Sequence, residues 1–424
     1  MFDKSKYRPR LIDDMVDLYL STFGAVCLEG PKWCGKTWTS QLHSKSAFFV
    51  GSPKDNFANR QLARLEVSKA LEGKAPHLID EWQEVGSIWD AVRAEVDESN
   101  EVGRFILTGS ATPQQKGVLH SGTGRIACLK MHPMSLYELG LSHALVSFED
   151  VCDGKEIGVQ NSMSPSLEEL IGFVIAGGWP GTIGKTPRQA ALIPKEYIEN
   201  VININIQKFE GVERDPIKIR KCLKSLARNE STVASNATIR NDIAEYDDST
   251  LSINTVVEYL GVFERMFLTN NIEPFSTFLR SPVRIKQSSK RHFCDPSIAA
   301  TLLGASEKML LRDLRTFGFL FESLALRDLQ IYTEFHGGKL YHYQDYAGNE
   351  IDAVAQYEDD RWCAFEIKLN PDDVDDAAEN LVQIAAQFKH NPPASMAVVV
   401  GKAGIAYRRE KDGVYVLPIT SLRP

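Results

Sequence analysis

Short apolar runs alternate with helix-spaced apolar positions through roughly the first third of the chain. Ala25-Val26-Cys27-Leu28, Ala47-Phe48-Phe49-Val50, His77-Leu78-Ile79-Asp80-Glu81 and Arg104-Phe105-Ile106-Leu107-Thr108 have strand length and read as strands. Ile126-Ala127-Cys128-Leu129 is a further such run. Strands separated by helices imply a parallel sheet with helices on both sides. Residues from about 141 to 163 are polar and irregular and read as a surface insertion or linker. Ser164-Pro165 then starts a helix carrying Leu167, Leu170, Ile171, Val174 and Ile175, which Gly177-Gly178-Trp179-Pro180 stops as a tight turn with a packed Trp. Two more helices are expected between Ala190 and about Arg228. Val256, Tyr259, Leu260 and Phe263 form one apolar helix face, followed by a strand through Phe267-Leu268 and Ile272. Beyond residue 300, a helix carries Phe317, Phe321 and Glu322. Strands then follow at Lys339–Tyr343, after Gly348-Asn349 through Asp352, and at Trp362–Lys368.

The first candidate chemistry sits behind the first strand. Gly30-Pro31-Lys32-Trp33-Cys34-Gly35-Lys36-Thr37 spaces Gly, four residues, then Gly-Lys-Thr, with Trp38 entering the next helix. That pattern makes a loop whose backbone N–H groups wrap phosphate oxygens at a helix N-terminus. Lys36 is expected to reach the β/γ-phosphates and Thr37 to offer its hydroxyl to Mg²⁺. The third strand ends in Asp80-Glu81 at the sheet's carboxyl edge, where α/β sheets bind ligands. Asp80 is suited to hold Mg²⁺ through water, and Glu81 to polarise the attacking water. Alone, such a pair is also an ordinary solvated strand end. Thr108 and Ser110 follow the fourth strand as candidates to sense the γ-phosphate, or as a plain turn. Arg125 opens the fifth strand and is read either as an arginine for a γ-phosphate, in its own subunit or a neighbour's, or as a salt-bridged strand-edge residue.

The phosphate loop, Leu78-Ile79-Asp80-Glu81, Leu107-Thr108-Gly109-Ser110, Gly124-Arg125 and Pro133-Met134-Ser135-Leu136-Tyr137-Glu138-Leu139 occur in that order. With Tyr7-Arg8-Pro9-Arg10 and Gly177-Gly178-Trp179-Pro180, they resemble the predicted AAA+ superfamily ATPases of bacteria and archaea that carry an uncharacterised C-terminal domain. Trp33-Cys34 departs from relatives at variable positions of the loop. The resemblance implies an α/β fold and ATP as the nucleotide, with Mg²⁺. It implies a P-loop AAA+-type ATPase domain over 1–140, and the residue pattern suggests a linker and helical region over 141–230 and a winged-helix-like region over 231–300. A restriction-endonuclease-like α/β domain is expected over 301–424. Relatives often form rings, so an oligomer lies within what the resemblance implies.

In the winged-helix-like region a basic stretch holds Arg280, Arg284, Lys286, Lys290 and Arg291. It is suited to tracking a DNA backbone, or is simply a charged, solvated hairpin. In the last region Asp352, a hairpin and then Glu366-Ile367-Lys368 resemble the Asp, Glu-X-Lys arrangement of restriction-endonuclease-like nucleases. Strand alternation puts Glu366 and Lys368 on one face. Two carboxylates make a hard oxygen site for a second Mg²⁺, Lys368 can orient water, and Glu322 completes the set. The alternative is a degenerate fold that docks partners. Asp372-Asp373 and Asp375-Asp376 read as a helix start.

Composition narrows the classes. A chain that is 43% hydrophobic and 25% charged is that of a globular protein. A net charge of −8 argues against a wholly basic nucleic-acid coat. The seven cysteines show no metal or redox spacing and read as reduced thiols. With no membrane-length apolar run and no signal-peptide core after Met1, a cytoplasmic location is expected. Three activities are compatible: an Mg²⁺-dependent ATPase controlling an appended module that acts on nucleic acid, an ATP-gated nuclease, and a nucleotide-dependent switch that binds a protein partner with little turnover.

Overall fold

The computed structural model describes the chain apart from residues 1–2, 55–56, 112–121, 207–208, 210–211, 245–251, 277–286 and 346. The chain divides into two compact units. One is residues 1–133 with 208–212 and 262–268, and the other is residues 134–207, 213–261 and 269–424.

The first unit is built on strands β1 (Ala25–Glu29), β2 (Ser46–Phe49), β3 (His77–Asp80), β4 (Phe105–Gly109) and β5 (Ile126–Lys130). Its helices include α1 (Ile12–Thr22), α2 (Lys36–His43), α3 (Ala58–Leu65) and α4 (Ser87–Ser99). All strand pairs are parallel, in the order β2-β3-β4-β1-β5. The apolar runs lack polar alternation because both faces are covered. Ala25, Cys27, Ile79, Phe105 and Leu107 pack with Trp82, Trp89 and Val92 on one side. Val26, Leu28, Leu78 and Ile106 pack with Val16 and Leu20 of α1 on the other. Every carboxyl end therefore lies on one edge, and the phosphate loop leaves β1 there.

The second unit begins with helical segments. Leu167–Ala176 is capped by Ser166, whose side chain accepts from Glu169 N–H while the Glu169 side chain returns to the Ser166 backbone. Leu192–Asn200, Pro216–Arg228 and Asn236–Ala244 follow. On the helix Ile253–Arg265, Val256, Tyr259 and Phe263 are buried as their spacing predicts, and Leu260 is half-buried. Antiparallel bridges then join Thr269 to Phe293 and Ile272 to Lys290. Arg280, Arg284 and Lys286 lie outside the described residues. The solvated-cation reading is corrected for Lys290, which is buried, its ammonium turned into a group of carboxylates.

A mixed seven-stranded sheet completes this unit. Its strands include β8 (Lys339–Gln344), β9 (Glu350–Gln356), β10 (Trp362–Lys368), β11 (Ser395–Val400), β12 (Ile405–Arg408) and β13 (Tyr415–Pro418). The helix Val374–Ala385 covers one face, with Leu381 and Ile384 packed among Val354, Trp362 and Val398. The stretch expected as a linker is structural. It supplies β6 (Val146–Ser147), which pairs with β14 (Leu422–Arg423), and β7 (Gln160–Asn161), which extends the sheet beside β12. Between them Phe148 is fully buried and stacks on Phe365 at 5.5 Å. Polar composition concealed this because two-residue strands have no periodicity to read.

The Gly-Gly-Trp-Pro turn is also a packing device. Trp179 is fully buried and its indole N–H donates to Ser297 Oγ at 2.9 Å. Gly178 N–H donates to Asp295, which pairs with Arg327 at 2.9 Å, and Arg327 reaches Asp328 at 2.8 Å. A Cβ on Gly178 would meet Met134 O at 2.2 Å.

Candidate functional site

The loop that follows β1 is held open by backbone geometry. Gly35 has φ +111° and Trp33 φ +67°, and the helix α2 starts directly at Lys36. A Cβ on Gly30 would meet Met131 O at 2.3 Å, so the loop can lie against the end of β5 only with glycine there. Lys36 is buried, and its ammonium donates to Gly30 O and Pro31 O, each at 2.8 Å. Lys32 is half-buried, Pro31 and Cys34 are buried, and Trp33 and Trp38 are exposed. Arg10 braces the loop from behind. Its guanidinium donates to Cys34 O at 2.7 Å and to His132 O at 2.8 Å. That gives Tyr7-Arg8-Pro9-Arg10 a physical task which spacing could not disclose.

Thr37 Oγ1 donates to Asp80 Oδ1 at 2.8 Å, and Thr108 Oγ1 donates to the same oxygen at 2.8 Å. Burial raises the Asp80 pKa, and the two hydroxyl donors oppose that rise. The Glu81 N–H donates to Thr108 Oγ1 at 2.9 Å, so Thr108 ties both carboxylate residues to β4. Glu81 itself has φ +59°, a left-handed conformation that turns its side chain out of the strand line. Ser110 Oγ donates to Glu81 Oε2 at 2.8 Å. Gln83 Nε2 donates to the same Glu81 oxygen and to Ser110 Oγ at 3.2 Å. Sequence reasoning missed Gln83. A polar residue in the turn after a strand gives no signal until the left-handed residue folds it back.

One hydroxyl and one buried carboxylate meeting at the loop's exit form a hard oxygen donor set that fits Mg²⁺. Arg125 is not part of this group. The register pairs Ala25 with Ile126, so Arg125 precedes β5 at the amino edge, opposite the loop. Its Nε donates to Asp97 Oδ1 at 2.6 Å on a half-exposed surface. Of the two readings of Arg125, the ion pair at the strand edge is the arrangement found within this chain.

Residues 22–140 match the AAA domain family. This match supports ATP binding and hydrolysis by the AAA segment. Residues 167–309 and 317–422 match two domains of unknown function, DUF8612 and DUF4143. The chain is 23% identical over 350 residues to an uncharacterized protein of Mycobacterium bovis and to one of Mycobacterium tuberculosis. Each alignment covers 81% of this chain and 70% of the relative. Among solved structures, a Walker-type ATPase of Pyrococcus abyssi matches with a TM-score of 0.42 and 12% identity. That match covers 71% of this chain and 96% of the other. Among the described residues no helix is long and apolar enough to cross a membrane.

The second constellation lies in the C-terminal sheet, far along the chain from the AAA segment. Glu322 stands on the helix Leu314–Phe335, Asp352 on β9, and Glu366 and Lys368 on β10. The antiparallel register pairs Phe365 with Ala353, and its continuation sets Asp352 opposite Glu366. Asp352 Oδ2 accepts from Ile367 N–H at 2.9 Å. Lys368 Nζ reaches Glu366 at 2.6 Å and Asp352 at 3.8 Å. Asn380 Nδ2 donates to Glu366 Oε1 at 3.0 Å. The four expected residues do converge, and Lys290 joins them. Its Nζ lies 2.5 Å from Glu322 Oε1 and 3.4 Å from Asp352 Oδ1. Burial pushes Glu366 up to about 8 and Glu322 up to about 7. Burial also works against the Asp352 charge, yet Lys290 and Lys368 outweigh it and hold that carboxyl below its ordinary value. The carboxylates are thus separated by ammonium groups. Among the described residues, the metal-type donors that do converge are Cys27, Glu29 and Cys128 on β1 and β5. The C-terminal set, as arranged, does not fit a divalent ion.

Proposed function

We propose that the AAA segment binds ATP and hydrolyses it by water attack on the γ-phosphate, and that nucleotide state controls the C-terminal portion of the chain. The observation that carries this reading is the pair of linked networks at one sheet edge: Thr37–Asp80–Thr108 and Glu81–Ser110–Gln83. Residues Gly30 to Trp38 cradle the phosphates. Lys36 exchanges its two loop carbonyls for phosphate oxygens, and Thr37 directly and Asp80 through water would hold Mg²⁺. The ion, when bound, neutralises charge on the phosphates. Glu81 accepts a proton from, and orients, the attacking water, while Ser110 and Gln83 fix which way its carboxylate faces. Thr108 keeps Asp80 and Glu81 in register.

Regulation by DNA or by a protein partner belongs to this reading as its second half. The test is ATP turnover by purified protein, alone and with double- or single-stranded DNA. Lys36→Ala is expected to abolish turnover. Glu81→Gln is expected to retain nucleotide binding and lose about a hundredfold or more in kcat. Wild-type turnover in Glu81→Gln would remove that residue from the mechanism. Stimulation by DNA favours a nucleic-acid-directed machine. Indifference to DNA, with slow turnover, favours a protein-controlled switch. The C-terminal carboxylates, with Lys290 and Lys368 among them, take no part in this reading.

A further inference from the structure

The C-terminal carboxylates raise a question of their own: what balances three acidic groups in a buried pocket. Glu366 and Asp352 are 4% and 8% exposed. Glu322 comes from a different element, and its side chain is 14% exposed. Carboxylates so placed need cations, because uncompensated charge in a protein interior is costly. Lys368 answers Glu366 from its own strand. Glu322 and Asp352 are answered by Lys290, whose side chain is 5% exposed.

Lys290 is delivered by a pinned backbone. Its N–H donates to Ile272 O at 2.8 Å, and its C=O accepts from Ile272 N–H at 3.0 Å. The next residue is fixed likewise, Arg291 N–H donating to Thr232 O at 2.7 Å. Lys368 also comes within 3.8 Å of Asp352, but Glu366 holds it more closely, at 2.6 Å. His292 and His342 sit close by, and burial with the Lys290 charge keeps both imidazoles neutral, His342 down to about 4.

We infer that Lys290 is the resident cation of the C-terminal carboxylate pocket, filling the place a divalent metal would take, so that this pocket is a closed ionic core rather than a metallonuclease centre. A magnesium or manganese ion would have to displace the Lys290 ammonium to reach Glu322 and Asp352 together. Its charge would then sit against both Lys290 and Lys368. The inference is independent of the ATPase reading, because none of its residues belongs to the AAA segment.

The test is a Mn²⁺ titration of the full chain without nucleotide, read by the paramagnetic signal of free Mn²⁺. Wild type and Asp352→Asn are expected to give the same isotherm, with no site that depends on Asp352. Lys290→Ala is expected to gain one bound Mn²⁺ per chain, lost again in the Lys290→Ala/Asp352→Asn double variant. Plasmid incubated with Mn²⁺ is expected to be nicked equally by wild type and Asp352→Asn. A wild-type Mn²⁺ site, or wild-type nicking, that Asp352→Asn removes would overturn the inference. So would a folded Lys290→Ala that gains no ion. If Lys290→Ala does not fold, by circular dichroism, the comparison of wild type with Asp352→Asn decides alone.

Discussion

At Glu81 a single left-handed residue turns a carboxylate out of the line of a buried strand. The carboxylate faces Ser110 and Gln83 instead of continuing the strand's alternation. Gln83 touches no phosphate in the proposed reaction, so it is a positioning residue. Gln83→Leu is expected to lower kcat roughly tenfold with KM little changed. The same substitution is expected to have no further effect in a Glu81→Gln background, a coupling that double-variant kinetics reads directly. Glu230 illustrates another use of a carboxyl. It is fully buried and accepts from Ser323 Oγ at 2.7 Å and from Phe293 N–H at 3.2 Å. Burial pushes its pKa up to about 8, so near neutrality the folded chain holds a proton that the unfolded chain releases. A raised carboxyl pKa gives stability that is complete below the unfolded value and is lost as pH rises towards the folded one. Glu230→Gln keeps the acceptor and removes the titration. Relative to wild type, the variant is expected to gain about 1.4 kcal/mol of stability per pH unit between roughly pH 5 and 8, levelling above, in denaturant melts.

The elements themselves were largely written in local pattern. The five apolar runs, the phosphate loop and the helix after Ser166 lie within a residue or two of where spacing puts them. Burial on both faces leaves a run of apolar residues, and a loop motif fixes its own neighbours. Long-range partners left no such trace. Arg125 reads alike at either edge of a sheet, Lys290 reads as one more cation, and residues 141–163 look like a linker until Phe365 and Leu422 are placed beside them. Asp352, Glu366 and Lys368 were legible because strand alternation and one hairpin suffice to align them. Their fifth member was not, because its element is joined to theirs only through tertiary contacts. The Gly177–Pro180 turn sits between these cases, its tightness visible and its partners hidden. Gly178→Ala is expected to cost about 3 kcal/mol, because the new methyl would meet a backbone carbonyl that cannot swing aside. Urea denaturation, with an unchanged m-value, checks it.

At the scale of the molecule, two units carry separate cores, and the proposed nucleotide contacts fall in only one of them. A non-hydrolysable ATP analogue with Mg²⁺, at about a hundred times its dissociation constant, is expected to stabilise that unit by about 2.7 kcal/mol. Calorimetry is expected to show the gain in residues 1–133, and Lys36→Ala is expected to erase it. The second unit is sewn together across its whole length of chain. His143 N–H donates to Thr420 O at 2.7 Å, Leu145 N–H to Ser421 O at 2.8 Å, and Val146 pairs with Leu422. Synthesis runs in one direction, and domains commonly fold as they emerge. Here residues 142–161 leave the ribosome hundreds of residues before β12 and β14 exist to receive them. The five-stranded sheet of the first unit lies wholly within residues 1–133, but Phe148 must wait for Phe365, more than two hundred residues later, and for the strands beyond it. During that interval the second unit has no complete core.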